Sequence, residues 1–560
     1  MLRPDALTGL LAPHRAAALA GYAAAYTPSL LPRPWYFQGL VAGLGAMAAF
    51  QSGLLVRSTI SLATRKFPPR TISLRAMTTT GRIAGALAGL GATIAIPALA
   101  TRWQRANADH VENPAHSPLW AVGSAATAAA VFSLLAAQWR FMVWTSSHLH
   151  IRVASKMTNA ILARIISTLT VLATTGLVFD RVLMRGLMLV VTSASARVDL
   201  RTPPNVVQPT TELHSGSPAS NESWDRLGLQ GKRFTCAGPS RERIEEVCGG
   251  QAMQPIRAYA SMNRRTIPQV VDAVLAEMDR TDAWSRSRIL LVTTTGRGNV
   301  NEWSASTFEY LTRGDCATVA MQYSGLPSAV TMIADKQDPV RASRLLYQAV
   351  TERIAALPAE RRPLIYLGGE SLGAFGSTGI IDGIEDLPTS AAGAVWTGCP
   401  DFSPLQEALI EARDPGSDTI FPVVDGGRHV RFAMTPEQLV VPTHGGHLGP
   451  WEFPRYVFLR NETDPVTFWN PRLLWRRPQW LTDMTGTNTP MGRMRWWPFI
   501  TFWQITSDMP VCRDVRAGFG HKYHAEQCIP AWVAVLGLDP DEDRSAITEA
   551  LMSDVPPVSP

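Results

Sequence analysis

Residues 364–376 read LIYLGGESLGAFG, a short apolar run that ends in a Gly-rich turn. The apolar run at 364–367 predicts a buried strand, and the small residues after Ser371 predict a helix packed closely against it. G-x-S-x-G at 369–373 is typical of a sharp strand-to-helix turn that exposes a serine at the carboxyl edge of a sheet. The turn is made of Gly369, Glu370, Ser371, Leu372 and Gly373. We therefore interpret Ser371 as a nucleophile.

The sequence around this turn alternates short apolar runs with longer helical patterns such as Ile267–Arg280 and Pro339–Leu357. This alternation predicts a mostly parallel, doubly wound sheet with crossover helices. The apolar runs are Ile256–Ala260, Ile289–Val292, Thr318–Gln322, Leu364–Leu367, Gly393–Thr397 and Tyr456–Leu459. Together with the turn, they predict an α/β-hydrolase fold over residues 251–545.

A serine nucleophile needs a base and an acid that orients the base, in the chain order Ser, Asp or Glu, His. The loop after Tyr456–Leu459 contains Glu462 and Asp464, and we choose Asp464 as the acid with Glu462 as the alternative. For the base we choose His521, which is flanked by Gly520 on a loop before an apolar helix, over His524.

An oxyanion needs two N–H donors. The N–H of Leu372 is one candidate, and the loop after the early strand Ile289–Val292 supplies Thr295 and Gly296 as candidates for the other. This chemistry requires no metal and no cofactor, and we expect neither.

The first 200 residues differ from the rest in charge. They contain 18 Lys and Arg against 5 Asp and Glu, whereas residues 201–560 contain 34 against 41. The positive residues lie between long apolar runs and form no stripe interleaved with aromatics, so we expect no nucleic-acid binding. A membrane domain at 1–200, a linker or extended arm at 201–250 and the catalytic domain after it are expected.

About five segments of the N-terminal domain are long and apolar enough to cross a bilayer, which takes about 20 residues. They are Leu7–Tyr26, which is weak, Trp35–Val56, Ile83–Ala100, Leu119–Ala137 and Ala160–Phe179. In the third, Gly85, Gly89 and Gly91 predict close helix packing. We expect a multi-pass protein of the cell membrane, in contact with lipids.

Flanking Lys and Arg predict the orientation. The loops between spans two and three and between spans four and five are basic without acids, which predicts that both are cytoplasmic. Five spans then place the catalytic domain outside the cytoplasm. A sixth crossing at Leu183–Val191 would place it inside.

Six of the 17 Trp lie between residues 469 and 503, between the expected acid and base. Tryptophan with arginine suits a membrane interface or an acyl-binding lid over the site. A satellite hydrophobic core under a long loop is the alternative.

The chain resembles the actinobacterial-type membrane α/β-hydrolase family, which joins an N-terminal multi-span domain to a hydrolase domain. The motifs that carry the resemblance are TPSLLPRPW (27–35), SWDRLGLQGKRF (223–234), PIRAYASM (255–262), QYSGLPS (322–328), GGESLGAFG (368–376), RNETDPV (460–466) and GFGHKY (518–523). The resemblance covers nearly the whole chain. It implies a serine hydrolase with Ser371, Asp464 and His521 in the triad positions.

We therefore expect a membrane-anchored serine hydrolase, similar to esterases and lipases, that acts on a lipid-type or cell-envelope ester through an acyl-serine intermediate. The same triad would also suit an acyltransferase or a serine peptidase or amidase. A third alternative is a non-catalytic membrane scaffold with a hydrolase-like binding domain.

Overall fold

The computed structural model describes residues 13–66, 79–113, 117–186, 188, 190, 193, 199, 201–203, 205–326, 331, 336–442 and 446–555. Several predicted features lie partly outside this range. They are the first six residues of the segment Leu7–Tyr26, part of Leu183–Val191, and part of the basic loop between spans two and three, where Arg70 and Arg75 lie.

The chain divides into two compact units. The first unit combines residues 1–188 with 471–515, and the second combines 189–470 with 516–560. The described helices are α1 Pro13–Ala25, α2 Trp35–Lys66, α3 Thr79–His110, α4 Trp120–Ala154, α5 Ala160–Val178, α6 Gly228–Cys236, α7 Arg241–Cys248, α8 Ile267–Arg280, α9 Glu302–Leu311, α10 Asp338–Ala355, α11 Leu372–Thr378, α12 Leu387–Ser390, α13 Pro404–Glu411, α14 Pro465–Phe468, α15 Gln479–Asp483, α16 Pro490–Arg493, α17 Ile500–Asp508, α18 Ala525–Leu536 and α19 Ser545–Asp554.

The first unit is helical, and three helices among its described residues are long and apolar enough to cross a membrane. These candidate spans are Trp35–Val56, Trp120–Ala154 and Ala160–Val182. The predicted segment Ile83–Ala100 lies within α3 and is not counted among the three. Along α4 and α5 many large apolar side chains are exposed, Ile161 and Leu134 among them. Such surfaces suit a lipid environment.

Glycines bring α1, α2 and α4 together, although they are not the predicted ones. A Cβ atom on Gly21 of α1 would lie 2.4 Å from the carbonyl oxygen of Gly45 in α2. A Cβ on Gly39 of α2 would lie 2.4 Å from Cβ of Thr127 in α4. Gly91, which was predicted to serve this purpose, has open space around its Cβ position.

The Trp-rich segment belongs to the first unit from residue 471 onward. Ile500 of α17 is buried in the same apolar cluster as Tyr26 of α1 and Trp120 of α4, and Trp503 packs against that cluster. A buried ion pair joins Arg33, in the loop before α2, to Asp508 at the end of α17, with Nε 3.2 Å from Oδ1. The Ser29 hydroxyl donates to the other oxygen of Asp508 at 2.5 Å.

The second unit contains a seven-stranded sheet in which every neighbouring pair is parallel. The strands are β1 Ile256–Ala260, β2 Arg288–Thr293, β3 Cys316–Met321, β4 Leu364–Glu370, β5 Gly393–Thr397, β6 Val430–Ala433 and β7 Arg455–Leu459, in the spatial order β1-β3-β2-β4-β5-β7-β6. The predicted α/β-hydrolase fold is confirmed, and each of the six predicted apolar runs overlaps a strand.

The edge strand β6 was not predicted, because Arg431 interrupts its short apolar pattern. The side chain of Arg431 is buried, and its guanidinium donates to the carbonyl oxygens of Gly427, Leu439 and Gly449 and lies over the ring of Trp451. Residues before β1 also pack onto the sheet. His214 is buried and forms an isolated parallel bridge with Arg257 of β1.

Candidate active site

The serine turn lies at the carboxyl end of β4, the middle strand of the sheet. Ser371 has φ 57° and ψ −123°, a conformation that non-glycine residues rarely adopt. Its N–H donates to the carbonyl oxygen of Thr397 at the end of β5, at 2.9 Å. Ser371 therefore forms a tight corner between β4 and α11, as the sequence pattern predicts for a nucleophile.

Neither Gly369 nor Gly373 of the turn has room for a side chain. A Cβ atom on Gly369 would lie 2.6 Å from the backbone of Gly373. A Cβ on Gly373 would lie 2.2 Å from the carbonyl oxygen of Thr293, at the end of β2. Real Cβ atoms do not approach backbone this closely, so a side chain at either position would push α11 away from the sheet.

Asp464 and His521 lie in hydrogen-bond contact. Asp464 follows β7 as the N-cap of α14, and His521 lies on the loop before α18. Nδ1 of His521 is 2.7 Å from Oδ2 of Asp464, and both side chains are buried. A carboxylate accepts here, so Nδ1 carries the proton and Nε2 keeps its lone pair. Within the described residues Nε2 has no hydrogen-bond partner.

The geometry brings His521 to the serine turn. Gly398, directly after the residue that accepts the Ser371 N–H bond, has φ +59°, and a Cβ atom there would lie 2.4 Å from Cε1 of His521. Nε2 of His521 is 3.8 Å from Oε1 of Glu370, the neighbour of Ser371. Nε2 is thus on the side of the His521 ring that is nearest the serine turn.

The carboxylate of Asp464 is completely buried and accepts several hydrogen bonds. The N–H of Val466 donates to Oδ1 at 2.8 Å. The hydroxyls of Thr467 and Tyr523 donate to Oδ2 at 3.0 and 2.8 Å. Burial and the neighbouring carboxylate raise the pKa of Tyr523 well above its usual range, so the phenol stays a donor. These donors hold the Asp464 carboxylate in place, aimed at His521.

Tyr523 and the residues around it were not predicted as parts of the site. The hydroxyl of Thr463 accepts from the N–H of Gly520 at 2.8 Å, and the side-chain amide of Asn461 donates to the carbonyl oxygen of Gly520 at 2.9 Å. These two bonds tie the acid loop to the base loop. The motifs RNETDPV and GFGHKY contain all four of these residues, but the contacts between them form only in the folded chain.

The second-choice residues lie elsewhere. The ring of His524 packs against Trp303 with centroids 3.8 Å apart, and burial lowers the pKa of His524. Glu462 is half-buried, and it is Asp464 that contacts His521.

The backbone N–H groups that are expected to stabilise the oxyanion lie in different surroundings. Leu372 is the first residue of α11, where backbone N–H groups have no acceptor within the helix. The N–H of Thr295 instead donates to the carbonyl oxygen of Asn299 at 3.0 Å, inside a turn that includes Gly296. In this conformation the N–H of Thr295 is therefore engaged, whereas the assignment of Leu372 and Gly296 as oxyanion donors stays a prediction.

Two comparisons with known families cover this chain. Residues 256–549 match the alpha/beta-hydrolase family, and residues 26–239 match the alpha/beta-hydrolase family N-terminus. No curated protein and no solved structure matches the chain. The first match spans more than half of the residues and includes every strand of the sheet. The chain therefore belongs to the alpha/beta-hydrolase family.

Proposed function

We propose that this protein is a membrane-anchored serine hydrolase, of the esterase or lipase type, that acts through an acyl enzyme on Ser371. The observation that carries this proposal is the strained turn at Ser371 beside the buried pair His521–Asp464. Nε2 of His521, the nitrogen that does not contact Asp464, has no hydrogen-bond partner among the described residues. A strained serine and a base oriented by a buried acid form the arrangement that activates a hydroxyl group.

In the proposed reaction the Ser371 oxygen attacks the substrate carbonyl while Nε2 of His521 takes the hydroxyl proton. Asp464 accepts from Nδ1 throughout and stabilises the charged ring. The N–H of Leu372, and a second donor near Gly296, stabilise the oxyanion. His521 then gives its proton to the leaving alcohol. A water molecule, deprotonated by the same nitrogen, then attacks the acyl carbonyl. The acyl bond to Ser371 breaks, His521 returns the proton to the Ser371 oxygen, and the acid leaves.

A lipid-type or cell-envelope ester is the proposed substrate class. The support is the attachment of the catalytic chain to a helical unit with three candidate membrane spans. An enzyme held at a bilayer meets amphiphilic esters at high local concentration. Acyl transfer to another alcohol, or hydrolysis of an amide, would use the same groups, and a substrate panel of nitrophenyl esters and peptides separates these reactions.

A fluorophosphonate probe tests the proposal directly, because it labels only an activated serine. The wild-type protein in membranes should label, and Ser371→Ala should not. Ser285→Ala, which removes an exposed hydroxyl of the same unit, should label like the wild type. A wild type that never labels would reject the proposal and favour the non-catalytic scaffold.

We also propose that the catalytic unit lies outside the cytoplasm, in a multi-pass protein of the cell membrane. The support is the sequence: with Ile83–Ala100 as a further span between the two basic loops, both loops lie on the cytoplasmic side and the catalytic unit outside. A single cysteine introduced at the exposed position Ser553 tests this. An impermeant thiol reagent should label it in intact cells, and labelling only after lysis would reverse the orientation.

A further inference from the structure

Glu370 occupies the variable position directly before Ser371, and its side chain is buried. A buried carboxylate is costly unless it is hydrogen-bonded or paired with a charge. The side-chain amide of Asn301 donates to Oε2 of Glu370 at 2.5 Å. Asn301 is itself fixed, because it is the N-cap of α9 and its oxygen accepts from the N–H of Ser304 at 3.3 Å.

The second oxygen of Glu370 faces the proposed base. Oε1 lies 3.8 Å from Nε2 of His521, which is ion-pair distance once the ring is protonated. Asp464 lies on the opposite side of the ring, 2.7 Å from Nδ1. The imidazole is thus placed between two buried carboxylates, one beside each nitrogen. The pattern G-x-S-x-G does not restrict the residue at position 370, so a buried acid there needs a chemical explanation.

We propose that Glu370, anchored by Asn301, is a positioning residue that favours the charged form of His521 during turnover. This inference rests on the proposed function. As the proposed base, His521 gains its charge when Nε2 takes the Ser371 proton. The attraction between Glu370 and the ring is therefore strongest when the tetrahedral intermediate forms, and it acts in both acyl transfer steps. An interaction that strengthens toward the transition state raises kcat and leaves KM nearly unchanged.

The arrangement of Glu370 differs from that of Asp464 in one respect. Asp464 makes a direct hydrogen bond and fixes which nitrogen carries the proton. At 3.8 Å from Nε2, Glu370 makes no direct hydrogen bond to His521, so it leaves Nε2 able to exchange its proton with Ser371. We therefore expect the loss of Glu370 to lower kcat less than the loss of Asp464 does.

The test compares variants of the full-length protein in detergent, on a short-chain nitrophenyl ester. Glu370→Gln removes the charge and keeps an oxygen that can accept from Asn301. We expect kcat to fall about 10- to 100-fold, with KM within about twofold of wild type. Glu370→Asp keeps the charge and should recover part of the loss. Asn301→Ser keeps a helix N-cap but removes the donor to Glu370, and kcat should fall about threefold to tenfold.

A kcat for Glu370→Gln within about twofold of wild type would overturn the inference. So would a loss that Glu370→Asp does not reduce at all, because that would mean that shape and not charge matters at position 370. Either result is distinct from failure of the proposed function, in which the wild-type protein itself fails to label with fluorophosphonate.

Discussion

Asp464 of the α/β unit and Asp508 of the helical unit are both completely buried, yet their partners differ in kind. Asp508 pairs with Arg33, whose guanidinium is a permanent cation. Asp464 contacts His521, an imidazole whose two nitrogens can each carry a proton. Burial alone therefore does not single out the carboxylate of the proposed triad. Asp464 stands apart because its partner is an imidazole whose second nitrogen has no hydrogen-bond partner among the described residues.

The two sites also differ in what they connect. The Arg33–Asp508 pair joins two segments of the helical unit that are far apart in sequence, and the Ser29 hydroxyl and the Leu31 N–H also donate to the Asp508 carboxylate. The Asp464–His521 pair joins two loops at the carboxyl edge of a sheet. The first pair joins parts of the helical unit, whereas the second would take part in proton transfer under the proposed function.

Replacing Asp464 by Asn should have the largest effect. An amide at this position favours the wrong tautomer of His521, with the proton on Nε2, so the base cannot accept from Ser371. We expect kcat to fall roughly 10³- to 10⁴-fold, measured on a nitrophenyl ester, with the protein still monodisperse and folded. Asp508→Asn is the matched control, since it changes an equally buried carboxylate in the other unit. A similar loss of kcat per folded molecule in both variants would break the comparison.

Arg33→Met should destabilise the helical unit in a pH-dependent manner. It leaves Asp508 buried without its cation, which costs about 3–5 kcal/mol when the carboxyl is ionised. Burial already raises the pKa of Asp508 to about 6, with Arg33 opposing the shift, so loss of Arg33 raises it further. The folded state then binds a proton that the unfolded state releases, and stability is regained as pH falls.

Thermal unfolding of this variant in detergent, at pH 8 and pH 5, measures the effect. The deficit relative to wild type should be large at pH 8 and small at pH 5. The double variant Arg33→Met with Asp508→Asn should unfold near the wild-type temperature at both values, because no buried charge remains. A pH-independent deficit would show that Arg33 acts through packing alone.

His214 should make the α/β unit respond to acid in the opposite direction. Burial, and then the charge of Arg257, lower the pKa of His214 to about 4. The unfolded chain takes up a proton near pH 6.5 and the folded unit does not, so stability falls as pH drops from about 6.5 to 4, by roughly 3 kcal/mol in all. Thermal unfolding of wild type and His214→Asn between pH 7 and pH 4.5 checks this. An acid dependence that persists unchanged in His214→Asn would assign it to other groups.

Tyr523→Phe should give the smallest effect. The variant keeps the ring and removes one of the donors to Asp464. A hydrogen bond to a charged group contributes about 1.5–3 kcal/mol, and the other donors remain, so we expect kcat to fall about tenfold. Loss of activity as large as in Asp464→Asn would mean that the phenol, and not the carboxylate, orients His521.

Much of the α/β unit was predictable because its signals are local. Apolar runs of four or five residues marked six strands, and the fold followed from their alternation with helices. Asp464 and His521 were chosen from their places after a strand and before a helix. By contrast, Tyr523 and Asn301 contact the site through side chains, and sequence spacing does not predict such contacts. Strand β6 was not predictable either, because Arg431 places a charge in its short apolar pattern.

The helical unit was less predictable. Small residues are abundant in every apolar segment, so composition could not tell that Gly21 and Gly39 make close contacts whereas Gly91 does not. The assignment of residues 471–515 to this unit was also beyond the sequence. Tryptophan and proline mark a segment as unusual, but the partner of Asp508 lies at Arg33, at the other end of the chain.

The division of the chain also decides how the protein responds to a protease. Because residues 471–515 belong to the helical unit, the polypeptide passes between the two units three times, near residues 188, 470 and 515. A single cut in the segment before residue 205 would leave two covalent connections intact. One cleavage there would therefore not separate the α/β unit from the helical unit.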